Sequence, residues 1–202
     1  LQLKQIYEQG WFKMFIPHAY GGLGWTLPRV LEVEECLSWA DASTAWVVTL
    51  CGGAGWFTGF LSPSLVKEIT ANRKLCFAGS GAATGIVEAI KDGFLVNGCW
   101  KYASGSPHAT VFTANCVLHV NGKPQRNSDG TPLILTFLFY RKEVRLLRHW
   151  NSMGMIATGS HSFEVNDLVV RPERCFAIDA KEAMLSDAVF QYPFLQLAET
   201  TL

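Results

Sequence analysis

The sequence has few charged residues and no excess of either sign of charge. Among its 202 residues, 17 lysines and arginines balance 17 aspartates and glutamates, and charged residues make up only 17% of the chain. A protein that binds nucleic acid or an anionic membrane surface usually carries a basic patch or stripe, and this sequence has none. We therefore expect neither nucleic acid nor a membrane among its partners, which leaves small molecules and other proteins.

Long uninterrupted apolar runs are also missing. A membrane-spanning helix needs about 20 consecutive apolar residues, and the nearest approach, residues 45–61, is interrupted by Gly52, Gly53, Gly55 and Gly59. The sequence shows no basic segment followed by an apolar stretch and a cleavage site, so a secretory signal is not expected. The cytoplasm is therefore the predicted location.

The sequence also lacks clustered cysteines. No pair has the CxxC spacing, and no arrangement of cysteine with histidine resembles a metal site, so no metal is expected. The cysteines lie mostly among apolar residues, which favours a role as small core side chains in a reducing compartment. The six are Cys36, Cys51, Cys76, Cys99, Cys116 and Cys175.

Apolar residues, in contrast, are abundant. They make up 49% of the chain, and a chain of this length can form one large or two small domains with a sizeable core. So high an apolar fraction indicates that part of the surface is covered in the working protein. A cofactor, a partner subunit or a further domain could each cover it.

Residues 1–72 predict an N-terminal helical domain. Apolar side chains recur there at the spacing of a helix face. Thr26 can cap a helix that has Pro28 in its first turn, and Asp41 or Ser43 can cap the very apolar helix that follows.

Residues 73–180 predict a β domain. Short runs rich in β-branched and aromatic residues alternate with turn signals, and Asp92-Gly93 is a strong hairpin signal. The candidate strands are residues 75–78, 86–90, 94–96, 111–120, 133–140 and 163–170. Their number and spacing are typical of an antiparallel barrel or sandwich. Residues 181–202, helical from near Ser186, predict the start of a C-terminal helical bundle, so the predicted class is α+β.

The glycine-rich segment from Gly79 to Gly85 lies between two of these candidate strands. It lacks the Lys-Ser/Thr pair of a phosphate-binding loop and does not open a helix, so it predicts neither a P-loop nor a dinucleotide fold. We interpret it as a flexible turn. Its exposed backbone N–H groups could meet a cofactor edge or a phosphate.

The segment from Asn97 to Ala109 is the most informative part of the sequence. A strand that carries Trp100 and Tyr102 on the same side runs into a Ser-Gly turn at Ser104. A flavin site needs a flat apolar wall for its ring system and a hydroxyl near the N5 edge, and Tyr102 and Ser104 supply both. Taken alone, the same pattern also suits an aromatic core followed by an ordinary turn.

The order of motifs along the chain resembles the acyl-CoA dehydrogenase superfamily. The resemblance covers nearly every residue from Gly10 to Leu202 and lies in the collinearity of its motifs rather than in any one of them. In this register Tyr102 takes the place of the flavin-stacking tryptophan, and Ser104 that of the threonine that bonds the flavin N5 edge. The matching segments are Pro17–Gly24, Glu34-Glu35, Asp41–Ser43, Asn97–Ala109 and Trp150–Pro172.

Within the superfamily, the sequence resembles the flavin-dependent monooxygenases more than the dehydrogenases. The Thr-Glu-Pro and Gly-Ser-Asp motifs of true acyl-CoA dehydrogenases are missing. The pattern from Trp100 through Ser104-Gly105 to His108 resembles the branch that hydroxylates aromatic or related substrates with reduced flavin and O2. One departure is Ala54, which stands where those monooxygenases usually have a histidine; general acid–base catalysis by such a group contributes about 10²–10⁴-fold.

The resemblance implies a flavin-dependent oxidoreductase with FAD or FMN as cofactor. It also implies an aromatic or acyl-thioester substrate, a flavin reductase as partner and a homotetramer. Acyl-CoA dehydrogenation and a non-catalytic flavin-binding or ligand-binding piece remain as alternatives. The chain is expected to be a truncated piece, and the catalytic base to lie beyond Leu202, so no catalytic residue is assigned. The expected cofactor-binding residues are Phe77, Gly79, Ser80, Tyr102, Ala103 and Ser104.

Overall fold

Helices precede a large β-sheet along the chain. A computed structural model describes residues 2–201. The helical pattern expected at the two ends of the chain includes Leu1 and Leu202, which lie outside that range. The helices are α1 (Gln2–Gln9), α2 (Leu27–Ala40), α3 (Ala42–Gly53), α4 (Pro63–Thr70) and α5 (Phe194–Thr201). None of the helices in residues 2–201 combines the length and apolarity that a membrane crossing requires.

Side-chain caps fix the starts of two helices. The Asp41 carboxylate accepts a hydrogen bond of 2.7 Å from the Thr44 backbone N–H at the start of α3, so Asp41 and not Ser43 is the cap. Ser62 accepts from the Leu65 N–H at 3.4 Å and precedes the proline that opens α4. Thr26 occupies the N-cap position of α2 with Pro28 in the first turn, as expected, but its side chain makes no capping hydrogen bond.

In residues 2–201, eight strands form one sheet in the order β6-β7-β2-β1-β3-β5-β8, with β4 beside β3. The α+β arrangement of helices followed by a sheet is therefore confirmed. The expectation of an antiparallel sheet is wrong for one pair, since β1 and β3 run parallel. The barrel or sandwich form, the C-terminal bundle and the domain boundaries stay predictions. The strands are β1 (Phe77–Ile90), β2 (Gly93–Ala103), β3 (Val111–Val120), β4 (Lys123–Pro124), β5 (Ile134–Tyr140), β6 (Arg145–Leu147), β7 (His161–Val170) and β8 (Cys175–Phe176).

The glycine-rich segment is part of strand β1, so its interpretation as a turn is wrong. Pairing with β3 continues on both sides of it, with a register shift between Ser80 and Gly85. Such a bulge bends the strand without ending it. A small residue is needed here because a Cβ on Gly85 would lie 2.3 Å from the Trp100 ring.

Trp100 and Tyr102 lie in opposite environments, contrary to the expectation that they share one side of a strand. Trp100 is fully buried, whereas Tyr102 is 70% exposed. The register between β2 and β7 shifts between Trp100 and Ala103, and Tyr102 has a left-handed backbone with φ of 63°. This irregularity breaks the two-residue alternation on which the expectation rested.

Two apolar cores lie within the part of the chain that the structure describes. The first packs the helices against the ends of several strands, including Phe77, Val111 and Leu138. The second lies within the sheet around Trp100. At the C-terminal end, α5 begins at Phe194 and not near Ser186, because a short 3-10 turn and then Pro193 come first.

Candidate active site

A cavity of about 190 Å³ lies where α3, α5 and the strands β1 and β3 meet. Apolar side chains such as Phe15, Phe57 and Leu197 form much of its wall, and Thr49 and Asn115 add polar groups. Among the described residues that line it, none has an ionisable side chain. The cavity therefore suits an uncharged ligand, held mainly by apolar contact and oriented by a few hydroxyl and amide groups.

Ser104 joins this cavity to the end of strand β2. Its side-chain oxygen accepts a hydrogen bond of 3.0 Å from the Trp46 indole N–H on α3. The Ser104 hydroxyl also lies 2.8 Å from that of Ser160. The serine is almost completely buried yet lines the cavity, so its oxygen is held rigidly at the cavity wall.

The Ser104 hydroxyl is the first of three in a row. The Ser160 hydroxyl is 2.7 Å from that of Thr158, and Thr158 donates to the Met155 carbonyl oxygen at 2.8 Å. We call Ser104, Ser160 and Thr158 the hydroxyl chain. All three residues are buried, and neither Ser160 nor Thr158 is among the described residues that line the cavity.

Backbone bonds tie the turn after Ser104 to the same segment. The Gly105 N–H donates to the Thr158 carbonyl at 2.8 Å, and the Ser106 hydroxyl donates to the Gly159 carbonyl at 2.8 Å. Segments more than fifty positions apart in the chain thus hold each other in place. The position of the Ser104 oxygen is therefore set by tertiary contacts as well as by its own strand.

Tyr102 and Trp150 form an aromatic corner beside this turn. Their rings meet edge to face, with centroids 6.2 Å apart and planes at 88°. The Trp150 indole N–H donates to the Met155 carbonyl at 3.3 Å, the same carbonyl that ends the hydroxyl chain. An exposed aromatic residue with a left-handed backbone is unfavourable unless its surroundings require it, and such residues cluster at functional sites.

Three of the six expected cofactor-binding residues meet at the cavity: Gly79, Ser80 and Ser104 line it. Phe77 and Ala103 are fully buried in the two cores, so neither presents surface to a ligand in this structure. Tyr102 is exposed and is not among the described residues that line the cavity. Their roles in cofactor binding stay predictions.

The sequence did not assign roles to Trp46, Thr158 or Ser160. Thr158 and Ser160 belong to a segment that carries the resemblance, but nothing local shows that these side chains and Trp46 converge on Ser104. A cluster of small hydroxyl residues around Gly159 in so apolar a chain is the signal that could have pointed to them. Ala54, by contrast, does line the cavity, so at this position the wall presents a methyl group.

Glu34 is a second unusual group near the cavity. It lies on α2 and is 4% exposed, and neither carboxylate oxygen has a hydrogen-bond partner among the described residues. Burial raises the pKa of Glu34 to about 7, an effect opposed in part by the neighbouring hydroxyl of Thr49. That contact does not reach hydrogen-bond geometry, so the charged form is poorly stabilised. Thr49 itself lines the cavity.

Glu34→Gln is expected to make stability less dependent on pH. A carboxyl group with a raised pKa in the folded state contributes full stability below its ordinary pKa of 4.5, and this is lost as pH rises through about 7. The variant should therefore be more stable than the wild type by about 3 kcal/mol at pH 8, with the difference small at pH 4.5. Urea unfolding at both pH values measures this, with the exposed Glu35→Gln as control. Equal stability of Glu34→Gln and wild type at pH 8 would contradict an ionised, unpaired Glu34.

No family model matches the chain, but several proteins are similar along almost its whole length. Indole-3-acetate monooxygenase from Pseudomonas putida is 30% identical over 194 residues, which are 96% of this chain and 48% of that protein. The flavin-dependent monooxygenase oxygenase subunit HsaA from Rhodococcus jostii is 25% identical over 209 residues, 99% of this chain and 53% of that protein. The homologues are flavin-dependent monooxygenases.

The fold is similar as well. The crystal structure of the HsaA monooxygenase from M. tuberculosis superposes with a TM-score of 0.88 at 25% identity, covering 99% of this chain and 55% of that one. The chain spans about half the length of the curated relatives it matches. The similarity to the monooxygenase branch agrees with the resemblance seen in the motifs, and acyl-CoA dehydrogenation is not favoured.

Proposed function

We propose that the chain provides the flavin cradle and part of the substrate pocket of a flavin-dependent monooxygenase that uses reduced flavin and O2. The observation that carries this proposal is Ser104, a buried hydroxyl at the wall of an apolar cavity, two residues after the exposed ring of Tyr102. The names of the homologues support it. The proposal covers the whole protein's activity, of which these residues form one part.

The residues present fit a flavin ring. Tyr102 offers an exposed flat apolar surface for the ring system, and Trp150 supports it edge to face. The Ser104 oxygen has capacity for one more hydrogen bond at the N5 edge. When bound, a reduced flavin supplies the electrons for reducing O2 and inserting one oxygen atom into a substrate. In this proposal Tyr102 orients the ring, Ser104 fixes its N5 edge, and the apolar wall excludes water. Gly79 and Ser80 would contact the ring through β1.

The proposed substrate is an uncharged aromatic molecule. The described cavity wall has no ionisable side chain, and the Phe15 and Phe57 rings suit an aromatic ligand. Thr49 and Asn115 can bond a ring hydroxyl.

We further propose a flavin reductase as partner, a homotetrameric assembly and a cytoplasmic location. One relative is named as an oxygenase subunit. That name supports a separate flavin reductase as the partner of this chain. Exposed apolar side chains such as Met153 and Ile156 on the Trp150–Thr158 segment support an assembly that covers them. All six cysteines are free, which suits a reducing compartment.

Flavin titration tests the cradle. Tyr102→Ala should weaken binding of reduced FAD or FMN about tenfold, because an aromatic stacking contact contributes about 1 kcal/mol beyond area burial. Tyr102→Phe should bind like the wild type. Anaerobic fluorescence titration measures both, with Trp39→Ala on α2, an 86% exposed aromatic, as the matched control. Equal losses in Tyr102→Ala and Trp39→Ala would contradict the assigned wall.

Two further measurements separate the functions. Oxygen-dependent hydroxylation of a phenol or indole with NADH and a flavin reductase is expected. Bleaching of oxidised flavin by an acyl-CoA would instead indicate dehydrogenation. Flavin binding with neither activity would favour the non-catalytic alternative, and a folded protein that binds no flavin would contradict the proposal.

A further inference from the structure

The direction of every proton in the hydroxyl chain follows from its last member. A hydroxyl has one proton to donate and two lone pairs, whereas a carbonyl oxygen can only accept. Thr158 must therefore give its proton to the Met155 carbonyl. The bond between Ser160 and Thr158 then uses the Ser160 proton, and the bond between Ser104 and Ser160 uses the Ser104 proton.

Trp46 is the second hydrogen-bond partner of the Ser104 oxygen. An indole N–H can only donate, so its bond of 3.0 Å occupies one lone pair of the Ser104 oxygen. The Ser104 proton points to Ser160, and one lone pair remains. Because Ser104 lines the cavity, the site presents a hydrogen-bond acceptor there and not a donor.

Reversing the chain is unfavourable. If Ser104 alone turned its proton toward the cavity, its bond to Ser160 would be lost. If Ser160 and Thr158 reversed with it, the bond from Thr158 to the Met155 carbonyl would be lost instead. One net hydrogen bond is lost in either arrangement, which corresponds to about a fivefold to tenfold preference for the observed direction. Burial of all three residues strengthens the preference, since water cannot replace the lost bond.

A flavin distinguishes a donor from an acceptor by its redox state. Nitrogen N5 of a reduced flavin carries a hydrogen, whereas N5 of an oxidised flavin offers a lone pair. We propose that Thr158 and Ser160 are positioning residues that hold Ser104 as an acceptor, so that the site binds reduced flavin in preference to oxidised flavin. The inference rests on the proposed function, because it takes N5 to lie at Ser104. Beyond the proposed function, it assigns a role to Thr158 and Ser160, which do not line the cavity.

Thr158→Val tests the inference. Without the Thr158 hydroxyl, Ser160 loses its acceptor and can donate to Ser104, which frees the Ser104 proton for the cavity. The ratio of the dissociation constants for oxidised and reduced flavin should then fall about tenfold relative to the wild type, the value of one hydrogen bond. Thr158→Ser keeps the hydroxyl and should keep the ratio within about twofold. Anaerobic titration with oxidised and with dithionite-reduced FMN and FAD measures it.

A double mutant separates this effect from general loosening. In a Ser104→Ala background, Thr158→Val should leave the ratio unchanged, since no hydroxyl remains to turn. If Thr158→Val does not fold by circular dichroism, Ser160→Ala serves instead, because it also removes the acceptor for the Ser104 proton. A folded Thr158→Val or Ser160→Ala protein with the wild-type ratio overturns the inference and leaves the proposed function standing. A wild-type protein that binds flavin in neither redox state overturns both.

Discussion

Trp100→Ala is expected to lower the free energy of unfolding by about 4 kcal/mol. The indole is fully buried, it stacks on Phe163 with centroids 5.2 Å apart, and Phe139 lies 5.8 Å away. Its N–H donates to the Asn115 carbonyl at 2.9 Å. The variant would create a large cavity in the sheet core and leave that carbonyl without its donor.

The loss should divide into two parts that a second variant separates. Trp100→Phe retains most of the ring but not the N–H, so it should lose about 2 kcal/mol from partial underpacking and the unpaired carbonyl. Trp39→Ala removes the same side chain from an exposed position on α2 and should change stability by less than about 0.5 kcal/mol. Urea unfolding measures all three. A loss below about 1 kcal/mol in Trp100→Ala would mean that the sheet core is not organised around this residue.

The outline of this fold could be predicted from the sequence because its signals are local. Apolar spacing, the Asp41 cap and the Asp92-Gly93 hairpin each depend on a few neighbouring residues. They predicted helices before strands, and the pattern from Trp100 to His108 predicted the similarity to flavin-dependent monooxygenases. At Thr26 the same signals indicated the helix start, although the side chain does not make the capping bond.

The parts that could not be predicted depend on contacts between distant segments. Residues 79–85 look like a turn, yet β3 pairs on both sides of them and keeps them in a strand. Tyr102 leaves the alternation of β2 because its backbone is left-handed, a feature for which a tyrosine gives no sign. In the candidate site, Ser104 could be named from its motif. Its partner Ser160 lies 56 positions away, and no periodicity relates residues so far apart.

Gly105→Ala is expected to lower stability by about 3 kcal/mol, from left-handed strain and steric overlap together. Gly105 has a φ of +73°, and a Cβ there would lie 2.3 Å from the Cys51 sulfur on α3. Gly21→Ala is the matched control, because its φ is +75° and nothing lies within 4 Å of its added Cβ. It should lose only the strain, about 1 kcal/mol.

Removing the sulfur isolates the overlap. In a Cys51→Ala background the added methyl group has room, so Gly105→Ala should lower stability no more than Gly21→Ala does. The cost of Gly105→Ala should thus be about 2 kcal/mol smaller in that background, which is the coupling between positions 51 and 105. If the stability losses of Cys51→Ala and Gly105→Ala were additive, the whole effect of Gly105→Ala would come from backbone strain. The overlap also acts on the site, because the Gly105 N–H bonds the Thr158 carbonyl and the Cys51 thiol donates to the Ser104 carbonyl at 3.5 Å. Gly105→Ala should therefore weaken flavin affinity as well as stability. Cys51→Ala should restore the part of both losses that comes from the overlap, since both depend on where α3 holds the turn that follows Ser104.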